Sequence, residues 1–201
     1  MPVALETLPS FDIAPHERPP HKLWTRDECA VLAKAGLVDP DRYELIEGEL
    51  VLKMAKSHAH MLAVLLLVKW LRSVFGYDFV VEEPSINVRP EDNPTSDPEP
   101  DAIVLTRSFR ELSAQPRPDE LRLVAEVSRT TLPFDRTTKA RLYARAGIPE
   151  YWVLDLEGRR MIVHRDPAGD AYRSITAYGE NERVATLTAP SHEIRVGDLL
   201  Q

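Results

Sequence analysis

Glu126 is the residue most at odds with its neighbours. It sits inside the apolar run Leu121 to Val127, LRLVAEV, and a short run of this kind bounded by polar residues reads as a buried strand. An ionised carboxylate is costly to bury unless something positive compensates it. A cation follows in sequence. Phe134 to Ala146 reads as a helix, stopped by Gly147 and by Pro149 two residues later. On that helix Lys139, Leu142, Tyr143 and Ala146 recur at i, i+3, i+4 and i+7 and share one face, with Arg141 and Arg145 on the opposite side. The lysine therefore belongs to the stripe expected to face the sheet, and the arginines to water. Asp101, directly after Pro100, opens a further expected strand, Asp101 to Leu105. If that strand adjoins the one holding Glu126, both carboxylates converge on one divalent ion. Oxygen donors with room for water and a substrate phosphate suit Mg²⁺ or Mn²⁺. Lys139 would then orient or help deprotonate an attacking water and stabilise charge on the phosphate. Such a set hydrolyses phosphodiesters.

The elements that must position these residues follow from local pattern. Thr25 to Glu28 is a capping box opening a short helix that Gly36 closes. Tyr43 to Met54 alternates around Glu47-Gly48 and predicts a β-hairpin. A helix from about His58 to Phe75 is apolar on nearly every side, which predicts burial beneath the sheet. Phe79 to Val81 and Ile86 to Val88 read as short strands split by Pro84, and Arg89 to Pro100 as an acidic, proline-rich loop that is solvated. After the central helix, Tyr151 to Asp155 and Arg160 to His164 form a hairpin-like pair around Glu157-Gly158, followed by mixed short strands ending near Leu200. Residues 1 to 22 hold five of the seventeen prolines and show no period, so they read as a flexible arm before a single domain, 23 to 201. Strands and helices mixed around one crossover predict an α/β or α+β domain.

Composition removes several classes. The net charge of -7 argues against a general basic surface coating nucleic acid, yet leaves room for a phosphate site whose positive charge comes from a metal ion. A single cysteine, Cys29, excludes an intrachain disulfide and a multi-cysteine zinc site, which makes a reducing cytoplasm the expected compartment. The first residues lack the basic and apolar regions of a signal peptide, and the apolar run Met61 to Val68 is too short to span a bilayer, so no membrane partner is expected. None of the eight glycines belongs to a GxGxxG or GxxxxGK[ST] loop, and there is no GxSxG or HExxH.

The ordered set P-D, then E-V-S, then D-x-x-x-K, then Y-A-x-A-G-I-P-E-Y-W-V-L-D resembles the Uma-two family of bacterial endonucleases. The upstream Y-E-L-I-E-G-E-L-V and His60 at the start of a helix are similar to that family as well, and the likeness runs from about Thr25 to Leu200. The resemblance implies a PD-(D/E)XK nuclease with a restriction-endonuclease-like fold, a mixed sheet flanked by helices. It implies that Asp101 and Glu126 bind Mg²⁺ or Mn²⁺, that Lys139 is the catalytic lysine, that Glu44 is an additional acid and that His60 lies near the site. It further implies DNA as substrate and a homodimer. The basic superfamily pattern places a lysine two residues after the glutamate; here Ser128 stands there, and Lys139 must reach the same space from the helix.

Other residues invite plainer roles. Glu47 reads as the turn residue before Gly48, and Asp135 as a first-turn acid favoured by the helix dipole. His58 and His60 form an HxH pair that could bind metal or simply open a helix. Tyr151 and Trp152 read as core. Arg129, Arg136 and Lys56 are candidates to contact phosphates and set register. Two rival functions remain at this point: a catalytically inactive binding protein that keeps the fold, and a metal-dependent hydrolase of a small phosphoester.

Overall fold

The computed structural model describes residues 21–54 and 56–200. The expected arm, residues 1 to 22, lies outside them except for His21 and Lys22. Helix α1 (Arg26–Lys34) starts on the expected capping box: the Thr25 hydroxyl accepts from the Glu28 amide, and Glu28 Oε2 accepts from the Thr25 amide at 3.0 Å. The hairpin of β1 (Tyr43–Ile46) and β2 (Glu49–Leu52) turns on Glu47 and Gly48, both at positive φ as a tight two-residue turn requires. A side chain at Gly48 would also meet Leu23, whose Cβ lies 2.7 Å from where a Cβ would stand.

Helix α2 (His58–Phe75) is followed by β3 (Val80–Glu82), β4 (Ala102–Leu105) and β5 (Leu121–Ser128). A helical segment then runs through α3 (Leu132–Phe134), a π turn (Asp135–Lys139) and α4 (Ala140–Arg145). It ends where Gly147 adopts a φ of 75° and Ile148 donates back to the Tyr143 carbonyl. Strands β6 (Glu150–Asp155), β7 (Arg160–Ala168) and β8 (Ala171–Gly179) complete a six-stranded sheet in the order β3-β4-β5-β6-β7-β8. The pair β5–β6 is parallel and the other neighbours are antiparallel. The helical segment is the crossover joining the parallel pair, the one place where such a sheet demands a helix. A small pair, β9 (Arg183–Val184) and β10 (Ile194–Arg195), follows.

Alternation along β5 divides the core into two layers. Leu123, Ala125 and Val127 face α2, packing with Leu67 and Leu71, while Val124 faces Leu142 and Tyr143 of α4. The mixed sheet flanked by helices is the α/β, restriction-endonuclease-like architecture expected from the sequence.

Four expectations need correction. Helix α2 buries one stripe, Ala63, Val64, Leu67, Val68 and Leu71, but leaves Met61 and Leu65 more than half exposed. Although α2 has the length and apolar composition of a membrane-crossing helix, that stripe is packed on the sheet. Ile86 and Val88 are buried but form no strand: the Ile86 amide donates to the Pro98 carbonyl, Asn87 to Pro116 and Val88 to the Asn93 side chain. Strand β7 continues past His164 to pair with a nine-residue β8. Asp166, at a φ of 58°, and Arg173 across from it are left out of the ladder while its register continues unchanged on either side, and this break with Pro167 masks the strand in the sequence. Tyr151 and Trp152 are fully buried, as expected of core.

Candidate active site

Glu126 occupies the sixth position of β5 and, by alternation, turns to the helical face together with Val124 and Ser128. It is 5% exposed. Lys139, 4% exposed at the end of the π turn, places Nζ 2.9 Å from Glu126 Oε1 and 2.9 Å from Glu44 Oε1. The Tyr143 hydroxyl, one turn further on, donates to the same Glu126 oxygen at 3.2 Å. Lys139 therefore does reach the space beside Glu126. The simpler alternative, an i,i+4 ion pair with Asp135, is not formed within 4 Å among the described residues.

Asp101 precedes β4. Because Ala102 pairs with Ala125 in an antiparallel ladder, the next position along places Asp101 across from Glu126. Asp101 Oδ2 accepts from the Val127 amide at 2.7 Å, which fixes the carboxylate against the neighbouring strand. His60, at the start of α2, approaches the same oxygen with Nε2 at 3.4 Å, while its Nδ1 is buried without a partner among the described residues. Glu44 comes from the separate hairpin; its second oxygen accepts from the Glu99 amide at 3.4 Å. The hairpin is seated by backbone bonds from Gly48 to Thr95 and from Asp97 to Leu45, and by Arg145, which holds Glu47 at 2.7 Å and Asp92 at 3.1 Å. Arg145 is thus a clamp and not a solvated arginine, and Glu47 is both turn residue and its acceptor.

All five expected site residues, Asp101, Glu126, Lys139, Glu44 and His60, line one cleft of about 930 Å³. Asp135 lines it too, 4% exposed, with Oδ2 accepting from the Thr131 hydroxyl at 2.6 Å. The signal for it was present: i,i+4 spacing from Lys139 puts it on the same inward face. Lys56 and Arg129 stand on the cleft wall, whereas Arg136 does not line it. Lys56 pairs with Glu83, and Arg129 lies 3.7 Å from Glu157. The acidic loop is only partly solvated: Ser96 is fully buried, and Glu99 lines the cleft and holds Lys53 at 2.6 Å.

Electrostatics follow from these positions. Burial pushes the Glu126 carboxyl well above the usual carboxylate range, with Lys139 pulling the other way and Asp101, Asp135 and Glu44 adding to the rise. Burial works against the Lys139 ammonium, but Glu126 and Glu44 outweigh it, and its proton is held well above the usual lysine range. Burial also raises Asp135, with Lys139 and the Thr131 hydroxyl opposing. These directions are compatible because four carboxyl groups, Glu44, Asp101, Glu126 and Asp135, surround one lysine.

That imbalance suits a divalent cation. Asp101 Oδ1 and Glu126 Oε2 accept no hydrogen bond from any described residue, and both are hard oxygen donors. Among the described residues no three His, Cys, Asp or Glu side chains form a closed metal cluster. A cation here would thus be held by two carboxylates, with water and substrate oxygens completing its shell, the arrangement Mg²⁺ and Mn²⁺ accept.

The β5–crossover–β6 core thus brings Asp101, Glu126, Asp135 and Lys139 to one cleft. Residues 35–197 match the Uma2 family model, described as "Putative restriction endonuclease", and the chain belongs to that family. No curated protein matches it. Among solved structures it is similar to one described as a putative nuclease belonging to DUF820 from Anabaena variabilis, with 16% identity and a TM-score of 0.62 over 87% of this chain and 96% of that one. At that identity the likeness concerns the fold.

Proposed function

We propose that this chain is a Mg²⁺- or Mn²⁺-dependent endonuclease hydrolysing phosphodiester bonds in DNA. The observation that carries this is the placement of Lys139 Nζ at 2.9 Å from both Glu126 and Glu44, beside Asp101, in an open cleft. Asp101 and Glu126 would hold the cation, which when bound lowers the pKa of a coordinated water and offsets charge on the phosphate. Lys139 keeps its proton and so acts as a fixed positive charge for the oxygens of the phosphorus centre. It donates a hydrogen bond to Glu126 and forms an ion pair with Glu44, and its remaining N–H capacity serves the substrate. Asp101 is braced by the Val127 amide and approached by His60, which supports its orientation as a ligand. Lys56 and Arg129 exchange their glutamate partners for phosphates, a contact that sets register and weakens with salt. A homodimer in the cytoplasm would let two clefts address the two strands of a duplex.

The test is cleavage of supercoiled plasmid, single-stranded DNA and RNA in Mn²⁺ by the wild type, Glu126→Ala and Lys139→Ala prepared identically. Cleavage of DNA by the wild type alone, stopped by a chelator, supports the proposal. Equal cleavage by all three would place the activity elsewhere.

A further inference from the structure

Asp135 is held more firmly than a solvated helix acid needs. Thr131 precedes α3 but makes no side-chain cap; its hydroxyl instead donates to Asp135 Oδ2 at 2.6 Å, and Ser128 Oγ lies 3.3 Å from Thr131 Oγ1. Ser128 stands two residues after Glu126, so a chain of hydroxyls begins at that position and ends on a carboxylate. The Asp135 carbonyl accepts from the Ala140 amide, five residues on, and from the buried Tyr151 hydroxyl at 3.0 Å. Such π turns are often found at functional sites, where they adjust the aim of a side chain.

The lysine and the other buried carboxylates of the cleft are engaged or assigned to the cation, and His60, whose Nδ1 has no partner among the described residues, turns its Nε2 to Asp101. Lys139 donates to Glu126 and forms an ion pair with Glu44, and an ammonium has no lone pair to receive a proton. Glu44 uses one oxygen for Lys139 and the other for the Glu99 amide. Asp101 Oδ1 and Glu126 Oε2 are the oxygens assigned above to the cation. Asp135, by contrast, has the Thr131 hydroxyl on Oδ2 with the Ser128 hydroxyl close by, and no hydrogen bond is formed to its Oδ1 within 3.5 Å from a described residue.

We propose that Asp135 is the general base, its Oδ1 accepting the proton of the attacking water; this rests on the phosphodiesterase function proposed above. As the water oxygen bonds to phosphorus, its O–H bond breaks toward Asp135. The bond from phosphorus to the leaving sugar oxygen breaks in turn, that oxygen takes a proton from solvent water, and Asp135 returns its own proton to solvent.

The test compares wild type, Asp135→Asn, Asp135→Ala and Asp101→Asn by plasmid nicking rate in Mn²⁺, calorimetric Mn²⁺ affinity and melting temperature. Both Asp135 variants are expected to bind Mn²⁺ within about threefold of wild type and to nick roughly 100- to 1,000-fold more slowly, the usual contribution of a general base. Sodium formate, small enough for the space left in Asp135→Ala, should restore its rate about tenfold or more and leave Asp135→Asn unchanged. Should Asp135→Asn not fold, Asp135→Ala decides. Nicking by the Asp135 variants at the wild-type rate overturns the base role alone. So does a slow Asp135→Ala that formate leaves slow. Loss of Mn²⁺ affinity equal to that of Asp101→Asn makes Asp135 a ligand and overturns the base role as well. A wild type that binds no Mn²⁺ and cuts nothing overturns the underlying nuclease proposal and this one with it.

Discussion

Glu126 and Glu150 sit on adjacent strands, both nearly or fully buried, yet their surroundings differ in kind. Glu150 is 0% exposed and saturated: Arg165 donates twice at 2.8 and 2.6 Å, Trp152 Nε1 donates at 2.9 Å, and the Leu187 amide takes the other oxygen at 2.8 Å. Glu126 has Lys139 and Tyr143 on one oxygen and no described partner on the other, which belongs to a group lining the cleft. A buried carboxylate with every acceptor position satisfied locks elements together; Glu150 ties β6 to β7 and to the segment around Leu187. A buried carboxylate left half satisfied, with a lysine beside it and a second carboxylate across the ladder, keeps capacity for something that arrives later. Burial alone therefore does not mark a site. The unfilled half does.

The comparison can be broken first on the Glu126 side. Lys139→Ala is expected to lower cleavage by roughly 1,000-fold or more, since it removes a positive charge fixed in a poorly solvated site. Its melting temperature should fall much less than activity, because the carboxyls left behind can take up protons; circular dichroism melts alongside nicking rates check this. If Lys139→Ala unfolds the chain, the lysine is a structural counter-ion like Arg165.

On the Glu150 side the expectation reverses. Glu150→Ala leaves the Arg165 guanidinium uncompensated and should cost about 3–5 kcal/mol of stability, read by urea unfolding. The folded fraction should keep wild-type affinity for Mn²⁺. Loss of metal binding without loss of stability would erase the distinction between the two glutamates.

A third effect comes from His164, buried beside Tyr151 on the same stretch of sheet as Glu150. Burial, only partly offset by the hydrogen bond to the Tyr151 carbonyl, holds its imidazole down to about 4. The unfolded chain takes up a proton near pH 6.5, which the folded chain resists until about pH 4, so stability falls with pH across that window and is unaffected above it. The loss should approach roughly 3 kcal/mol relative to His164→Gln, measured as the difference between their unfolding free energies at pH 7 and pH 4. A difference that stays constant with pH would show that the imidazole is solvated.

Much of this arrangement was legible because local rules decide it. Strand alternation aimed Glu126 at the helical face, the 3.6-residue period aimed Lys139 inward, and the capping box opened α1. What escaped depends on contacts distant in sequence. Glu44 was expected through the resemblance alone: it meets Lys139 because backbone bonds and the Glu47–Arg145–Asp92 clamp seat the hairpin, and no periodicity encodes a contact spanning ninety-odd residues. Ile86 and Val88 imitate a strand because burial, not pairing, selected them. The π turn at Asp135 shows no marker in residue type, and Arg145 looked solvated because its partners lie on other elements, whereas Arg141 is exposed as expected.

The smallest effect lies at that clamp. Glu47→Ala should lower stability by about 0.5–1 kcal/mol and loosen Glu44 without touching Glu126 or Asp101, so Mn²⁺ affinity should hold while cleavage slows a fewfold. An unchanged rate would mean that the hairpin does not position the site.

The most direct measurement is a calorimetric Mn²⁺ titration of wild type, Glu126→Gln and Glu150→Gln, each checked for folding. If the unfilled oxygen of Glu126 is a ligand, the wild type and Glu150→Gln bind the ion alike, and Glu126→Gln binds it at least tenfold more weakly, as expected when a charged ligand is removed. Equal affinity in all three, or no binding by the wild type, would contradict the account.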